Sequence, residues 1–281
     1  MVLAGLVLTV VLGLRDSQGF GLGGRIAVLD IDGVISDDED LLEQIRKFRD
    51  DASVKGFLVR INSPGGVVGP SQSIFEELKK LRDEEELPVI AAIGGVGASG
   101  GYYIALGADS IFALPGSITG SIGVIMEYPD ASELMDKVGV QMQVVKSAEH
   151  KDVGSPFRPI TPADRQILNE LVSDVYQQFV ETVATERNLS RDIVASVADG
   201  RILSGRQALT HGLIDRLGNS NDALAAVGRM AGLGNEPRVI YPPRQKFGML
   251  DLLMDQGTGG ILSRLVRPLE QAGPRIKFVM P

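Results

Sequence analysis

Short, largely apolar runs alternate along this chain with segments of helical character, and that alternation restricts the fold more than any other feature. RIAVLDIDG (25–33), GFLVRINSPGG (56–66) and PVIAAI (88–93) read as strands, separated by the acid-rich DDEDLLEQIRKFRDD (37–51) and the amphipathic PSQSIFEELKKLRDEEE (70–86). Strands that are apolar on both faces belong in a largely parallel sheet covered by helices on each side. SIFALP (110–115), TGSIGVI (119–125) and VQMQVVKS (140–147) continue the strand pattern, with ASELMDKVG (131–139) as a helix between the last two. From Thr161 a long helical stretch runs to Asn188, and DGRILSGRQALTHGLIDRLG (199–218) then returns to pack on the core. The expected class is therefore α/β with a helical C-terminal part.

Charge and composition narrow the function. The chain of 281 residues carries 28 basic against 36 acidic groups, a net charge of −8. That balance argues against a nucleic-acid partner gripped through many phosphates. With no cysteine and two histidines, thiolate metal sites, disulfides and a cysteine nucleophile are excluded, and no cofactor is expected.

Met1 to Leu14 is uncharged and apolar, followed by Arg15 and Asp16 and then a glycine-rich stretch. As a helix those residues span about 21 Å, against about 30 Å of hydrocarbon, with neither a basic n-region nor an obvious A-x-A cleavage site. Residues 1–16 are expected to form a membrane anchor that starts upstream or tilts, 17–24 a linker, 25–235 the catalytic domain, and 236–281 a C-terminal tail. From Pro237 onward the tail carries seven basic and three acidic groups, which suits a lipid surface, a neighbouring subunit or plain solvent.

The chemistry centres on IGGVGASGGYYIALGA (93–108). Glycines at 94, 95 and 97 are expected to end the strand in a turn, and Ser99 then stands at the start of the helix-compatible YYIALGA. Ser99 is either a helix N-cap or a nucleophile whose charge development is favoured by free backbone N–H groups. The glycine pair of INSPGG (61–66) offers unobstructed N–H groups, so that Gly66 together with Gly100 forms a candidate oxyanion pair. A serine needs a base. His211 precedes Gly212 and reads as a helix C-terminal residue, leaving the adjacent His150 and Lys151 of the loop SAEHKDVGSP. A lysine serves where the fold lowers its pKa from about 10.4 toward 7–8.

INSPGG (61–66), ASGGYYIA (98–105), TGSIGV (119–124), HKD (150–152) and DGRILSGRQALTHGLIDRLG (199–218) together resemble the signal peptide peptidase SppA family of bacterial membrane-bound serine proteases. The resemblance covers roughly residues 25–230. It implies a Clp protease/crotonase-like core of repeated strand-strand-helix units and a Ser-Lys dyad. In that dyad Ser99 is the nucleophile, Lys151 the general base and Ser121 the residue that orients the lysine, with Gly66 and Gly100 donating to the oxyanion. It also implies signal peptides and other apolar peptides as substrates, ring-shaped homo-oligomers, and a single-pass anchor in the cell membrane with an extracytoplasmic protease domain. Two departures, Gly97 where alanine is commoner and His150 beside the lysine, remove no reacting group. A crotonase-type acyl-CoA enzyme would share the two N–H donors without needing the dyad. A non-catalytic membrane scaffold would need neither. Proteases of the stomatin-partner and phage capsid-maturation types fit the ASGGYY and DGRILSG runs less well.

Overall fold

The computed structural model describes residues 23–243 and the backbone of 275–279. The expected membrane segment, 1–16, lies outside the described residues, and among the described residues no helix is long and apolar enough to cross a membrane.

The α/β reading holds. Strand β1 (Arg25–Asp32), helix α1 (Glu39–Arg49) and β2 (Val54–Ser63) are followed by the short β3 (Gly65–Val67), α2 (Val68–Asp83), β4 (Val89–Ala98) and α3 (Gly100–Ala105). Next come β5 (Ser110–Ala113), β6 (Ile118–Gly120), β7 (Ile125–Glu127), α4 (Ser132–Lys137) and the long α5 (Pro162–Glu186). The chain closes with α6 (Arg191–Ala195), β8 (Ile202–Ser204), α7 (Gly205–Thr210), β9 (Arg216–Leu217), α8 (Ser220–Met230), β10 (Arg238–Ile240) and β11 (Arg275–Val279). The main sheet has the order β10-β1-β2-β4-β5-β9, every neighbouring pair parallel. β6 extends it alongside the end of β4, and β8 runs antiparallel to β6. β10 thus returns the chain beyond residue 235 to the edge of the sheet.

Period-two alternation explains why the strands read as unbroken apolar runs. Ala27, Leu29 and Ile31 of β1 face one core with Val59, Ile61, Leu78 and Phe179, whereas Ile26 and Val28 face a second with Leu58, Ile90, Ala223 and Val227 of α8. Two buried faces confine the polar positions of the paired strands β1 and β2 mostly to their ends, at Asp30, Asp32, Arg60 and Asn62. α5 is capped by a reciprocal Thr161–Asp164 box and tied to α2 by Arg82 and Lys79 on Glu186.

Two expectations fail. The strand predicted over 140–147 does not form: residues 140–147 are irregular and exposed, and among the described residues no neighbouring strand offers the pairing that an alternating Val140-Met142-Val144 pattern requires. The glycines at 94, 95 and 97 do not end β4 either. The strand continues through them to Ala98, absorbed by an irregularity against β2 in which Ile61 pairs with Ile93 and Ser63 with Gly97. The reversal falls on Ser99 itself.

Candidate active site

Ser99 occupies the one residue between β4 and α3, with φ 52° and ψ −114°. A serine with positive φ is strained and persists only where the surroundings impose it. Here they do. The Ser99 N–H donates to the Gly120 carbonyl at 2.8 Å, and its own carbonyl accepts from Tyr103 N at 2.8 Å. Tyr102 and Tyr103 lock the helix that follows: Tyr102 donates through its hydroxyl to the Leu213 carbonyl at 2.7 Å, and Tyr103 sits between the rings of Phe75 and Phe179.

The capping alternative is ruled out, because the Ser99 side chain makes no capping hydrogen bond to α3. Its Oγ is fully buried and has no hydrogen-bond partner. Leaving a buried hydroxyl unpaired costs about 1–3 kcal/mol, and an orphan of this kind calls for a chemical explanation. The flanking pattern Gly97-Ala98-Ser99-Gly100-Gly101 is that of a nucleophile elbow, a sharp strand-to-helix turn that isolates a serine hydroxyl from its own helix. Gly101 is required by close approach, since a Cβ there would lie 2.9 Å from the Ser63 carbonyl oxygen.

Ser121 is brought directly to this turn. β6 pairs with β4 so that Gly120 stands opposite Ala98, and Ser121, buried and at φ 51°, follows at once. The Ser121 N–H donates to the Arg201 carbonyl at 2.8 Å, and Thr119 Oγ1 donates to the Gly97 carbonyl at 2.7 Å. Gly66 lies on β3, against which α3 packs, so the strand with one candidate oxyanion donor abuts the helix that begins with the other, Gly100. A Cβ at Gly66 would overlap the Ile35 carbonyl oxygen and lie 2.6 Å from Ile35 N and C, which explains the glycine. Ser63 Oγ accepts from Gly65 N at 3.1 Å and holds that loop. Ser63 and Thr119 went unremarked in the sequence, although both fall inside motifs quoted above.

Lys151 is placed differently. It sits with His150 in a 3-10 turn, Glu149–Asp152, and both are exposed. Since Ser99 Oγ has no partner, no Lys151–Ser99 hydrogen bond is made in this arrangement. The next residue, Asp152, is clamped by Lys146 and Arg158, and Arg158 also grips Asp164 at the start of α5. These guanidinium bonds hold both carboxylates well below their usual range. His211 caps the end of α7 just before Gly212 at φ 75°, the structural role expected of it. A cavity of about 470 Å³ opens beside Ser121, lined by Val124, Ile125, Tyr176, Ala198 and Asp199.

An unpaired, buried serine hydroxyl on a strained strand-to-helix turn, at the end of a parallel sheet, marks an α/β protein with a candidate serine nucleophile. The sequence profile of peptidase family S49 matches residues 81–234, a stretch containing Ser99, Ser121 and Lys151. A Synechocystis sp. protein named "Putative protease" is 44% identical over 210 residues, covering 74% of this chain and 75% of that protein. A "Putative protease" of Methanocaldococcus jannaschii is 34% identical over 242 residues, 85% of this chain and 76% of that protein. A "Putative signal peptide peptidase SppA" of Enterococcus faecium is 38% identical over 230 residues, 77% and 67% respectively. This chain belongs to peptidase family S49 and is a serine peptidase.

Proposed function

We propose that the chain is an endopeptidase of the Clp/crotonase fold type that cuts apolar peptides, cleaved signal peptides among them, through a Ser99–Lys151 dyad. The observation that carries the reading is the buried, unpartnered Ser99 Oγ on its strained turn. In the reaction neutral Lys151 takes the hydroxyl proton as Oγ bonds to the peptide carbonyl carbon. The Gly66 and Gly100 N–H groups receive the oxyanion, each donor contributing about 2.7–4 kcal/mol. Protonated Lys151 then gives its proton to the leaving amine as the C–N bond breaks, and neutral Lys151 activates the water that releases the acyl group. Ser121 orients the lysine. This requires Lys151 Nζ to come within about 2.6–3.2 Å of Ser99 Oγ, a closure that sites without substrate often lack. The cavity beside Ser121, lined mostly by apolar groups of Val124, Ile125, Tyr176 and Ala198, suits an apolar substrate side chain.

Location and assembly are part of the same proposal. The apolar residues 1–14 favour a single-pass membrane anchor with the protease domain outside the cytoplasm. Exposed Leu134, Val138, Met142, Val144 and Val145, close in sequence to Lys151, favour a contact between copies in a ring-shaped homo-oligomer.

The test is hydrolysis of apolar peptidyl amides and a synthetic signal peptide by the full chain in detergent, from pH 6 to 10. Activity should climb with pH, because the base acts unprotonated, and vanish in Ser99→Ala and Lys151→Ala. Full activity in Lys151→Ala, with loss in His150→Ala, moves the base to histidine. Light scattering of a variant carrying Val138→Ser, Val144→Ser and Val145→Ser should show smaller particles than wild type.

A further inference from the structure

The turn that carries Lys151 has little backbone structure of its own to hold it. Residues 140–147 before it are exposed and irregular, and among the described residues the 3-10 turn Glu149–Asp152 pairs with no strand. Its backbone bonds are long: Lys151 N donates to the Ala148 carbonyl and Val153 N to the His150 carbonyl, both at 3.3 Å. Side chains supply the hold. Through Nε and Nη2 the Arg158 guanidinium grips both carboxylate oxygens of Asp152, each at 3.0 Å, and Nη2 also donates to the Asp152 carbonyl at 3.2 Å. Through Nη1 and Nη2 it grips both oxygens of Asp164, and Nη1 donates to the Pro159 carbonyl at 3.2 Å. Lys146 closes the turn from the other side, donating to Asp152 Oδ1 and to the Glu149 carbonyl at 2.8 Å each.

One planar cation forked onto two carboxylates makes a strut of fixed length and angle, which an ammonium on a flexible stem does not. The far end of the strut is anchored. Asp164 is buried and belongs to the box that caps α5 with Thr161. α5 is fixed in turn to the body of the molecule by buried Phe179 and Val183 and by Glu186 on Arg82 and Lys79. The near end is the residue that follows Lys151. Since α5 already has its cap from Thr161, helix stability does not call for the second fork, onto Asp152. We propose that Arg158 is a positioning residue for the peptidase reaction: it ties the turn bearing Lys151 to the start of α5, so that the lysine approaches Ser99 from a fixed backbone. The assignment rests on the Ser99–Lys151 reading given above. A base displaced by about 1 Å loses about 10²-fold in rate, because the reacting atoms fall out of line while substrate binding is untouched. The loss therefore falls on kcat and not on KM.

The test measures kcat and KM for an apolar peptidyl amide with the full chain in detergent, at a temperature where calorimetry shows each variant folded. Arg158→Ala and Asp152→Ala should each lower kcat about 10²-fold and leave KM unchanged. Asp152→Ala keeps Arg158 on Asp164 and the α5 cap in place, so it answers the question even if Arg158→Ala fails to fold. Arg158→Lys keeps the charge without the double fork and should recover only a small part of the loss; wild-type kcat in that variant would reduce the effect to charge and overturn the strut. The rate at which a fluorophosphonate labels Ser99 tells through which group Arg158 acts. Arg158→Ala should slow labelling about 10²-fold in a chain that has Lys151, and not at all in one carrying Lys151→Ala. Equal slowing in both backgrounds shows action by another route and overturns the proposal. Wild-type kcat in Asp152→Ala, with Lys151→Ala inactive, overturns the proposal and leaves the dyad standing. Full activity in Lys151→Ala refutes the dyad itself, and the proposal with it.

Discussion

Replacing Ser99 by alanine should abolish peptidase activity and raise stability, an uncommon combination for a fully buried position. The Oγ has lost water and gained no partner. Removing it recovers a desolvation penalty of about 1–3 kcal/mol, from which the few contacts of one small atom are subtracted. The net gain is about 1 kcal/mol, or about 2–4 °C in Tm for a chain of this size. The backbone strain at φ 52° and ψ −114° remains in alanine, because it arises from Cβ. Ser99→Gly relieves both, and although glycine costs more entropy on ordering, strain of about 1–3 kcal/mol exceeds that loss of about 0.5–1 kcal/mol. The expected order of Tm is therefore wild type, then Ser99→Ala, then Ser99→Gly, with neither variant turning over a peptide. Calorimetry on the three chains at one pH decides it. A Tm for Ser99→Ala equal to or below that of wild type would mean that the hydroxyl is satisfied in solution, and the argument from an orphaned group would fail.

Gly66→Ala must push β3 away from the backbone of Ile35, since no side-chain rotation relieves the overlap; kcat should fall about 10²–10³-fold through the displaced donor, with a Tm loss reflecting about 1–3 kcal/mol of overpacking, checked by steady-state kinetics and melting. Tyr102→Phe leaves the Leu213 carbonyl without its buried partner and should cost about 1–3 kcal/mol in urea unfolding. The Arg158 cluster has a definite sign: its carboxylates have lowered folded pKa values, so its stabilisation is complete above the unfolded value of about 3.9 and is lost as pH falls through the lower folded values. The Tm difference between wild type and Arg158→Ala should thus be constant from pH 6 to 9 and shrink below pH 4. Any pH dependence of activity between 6 and 10 then comes from elsewhere than the clamp on Asp152.

The failed strand over 140–147 and the run of β4 through its glycines have one cause. Hydrophobic periodicity records which faces are buried, and glycine records where side chains are absent, but neither says whether a neighbouring backbone is present to pair with. Val140, Met142 and Val144 alternate as a strand would and find no strand partner among the described residues, whereas Gly94 to Gly97 look like a turn and remain within β4, Gly97 pairing with both β2 and β6. β3 and β7 are each three residues long, too short to stand out by pattern, and their pairing with β11, about 150–210 positions away, is invisible locally.

The amino-acid sequence by itself determined the α/β class, the doubly buried parallel strands and the long helix after Thr161, and singled out Ser99 as the candidate nucleophile, because these follow from local periodicity and from residue types with few alternative uses. Tertiary structure alone decided that Ser99 is no helix cap. It also decided that Ser121 reaches it through a strand pairing at Gly120, that Lys151 stands exposed on a clamped turn, and that the last strand lies across the site. Each of these depends on contacts between segments distant in the chain, and such contacts are set by the closing of the whole fold rather than by any one stretch.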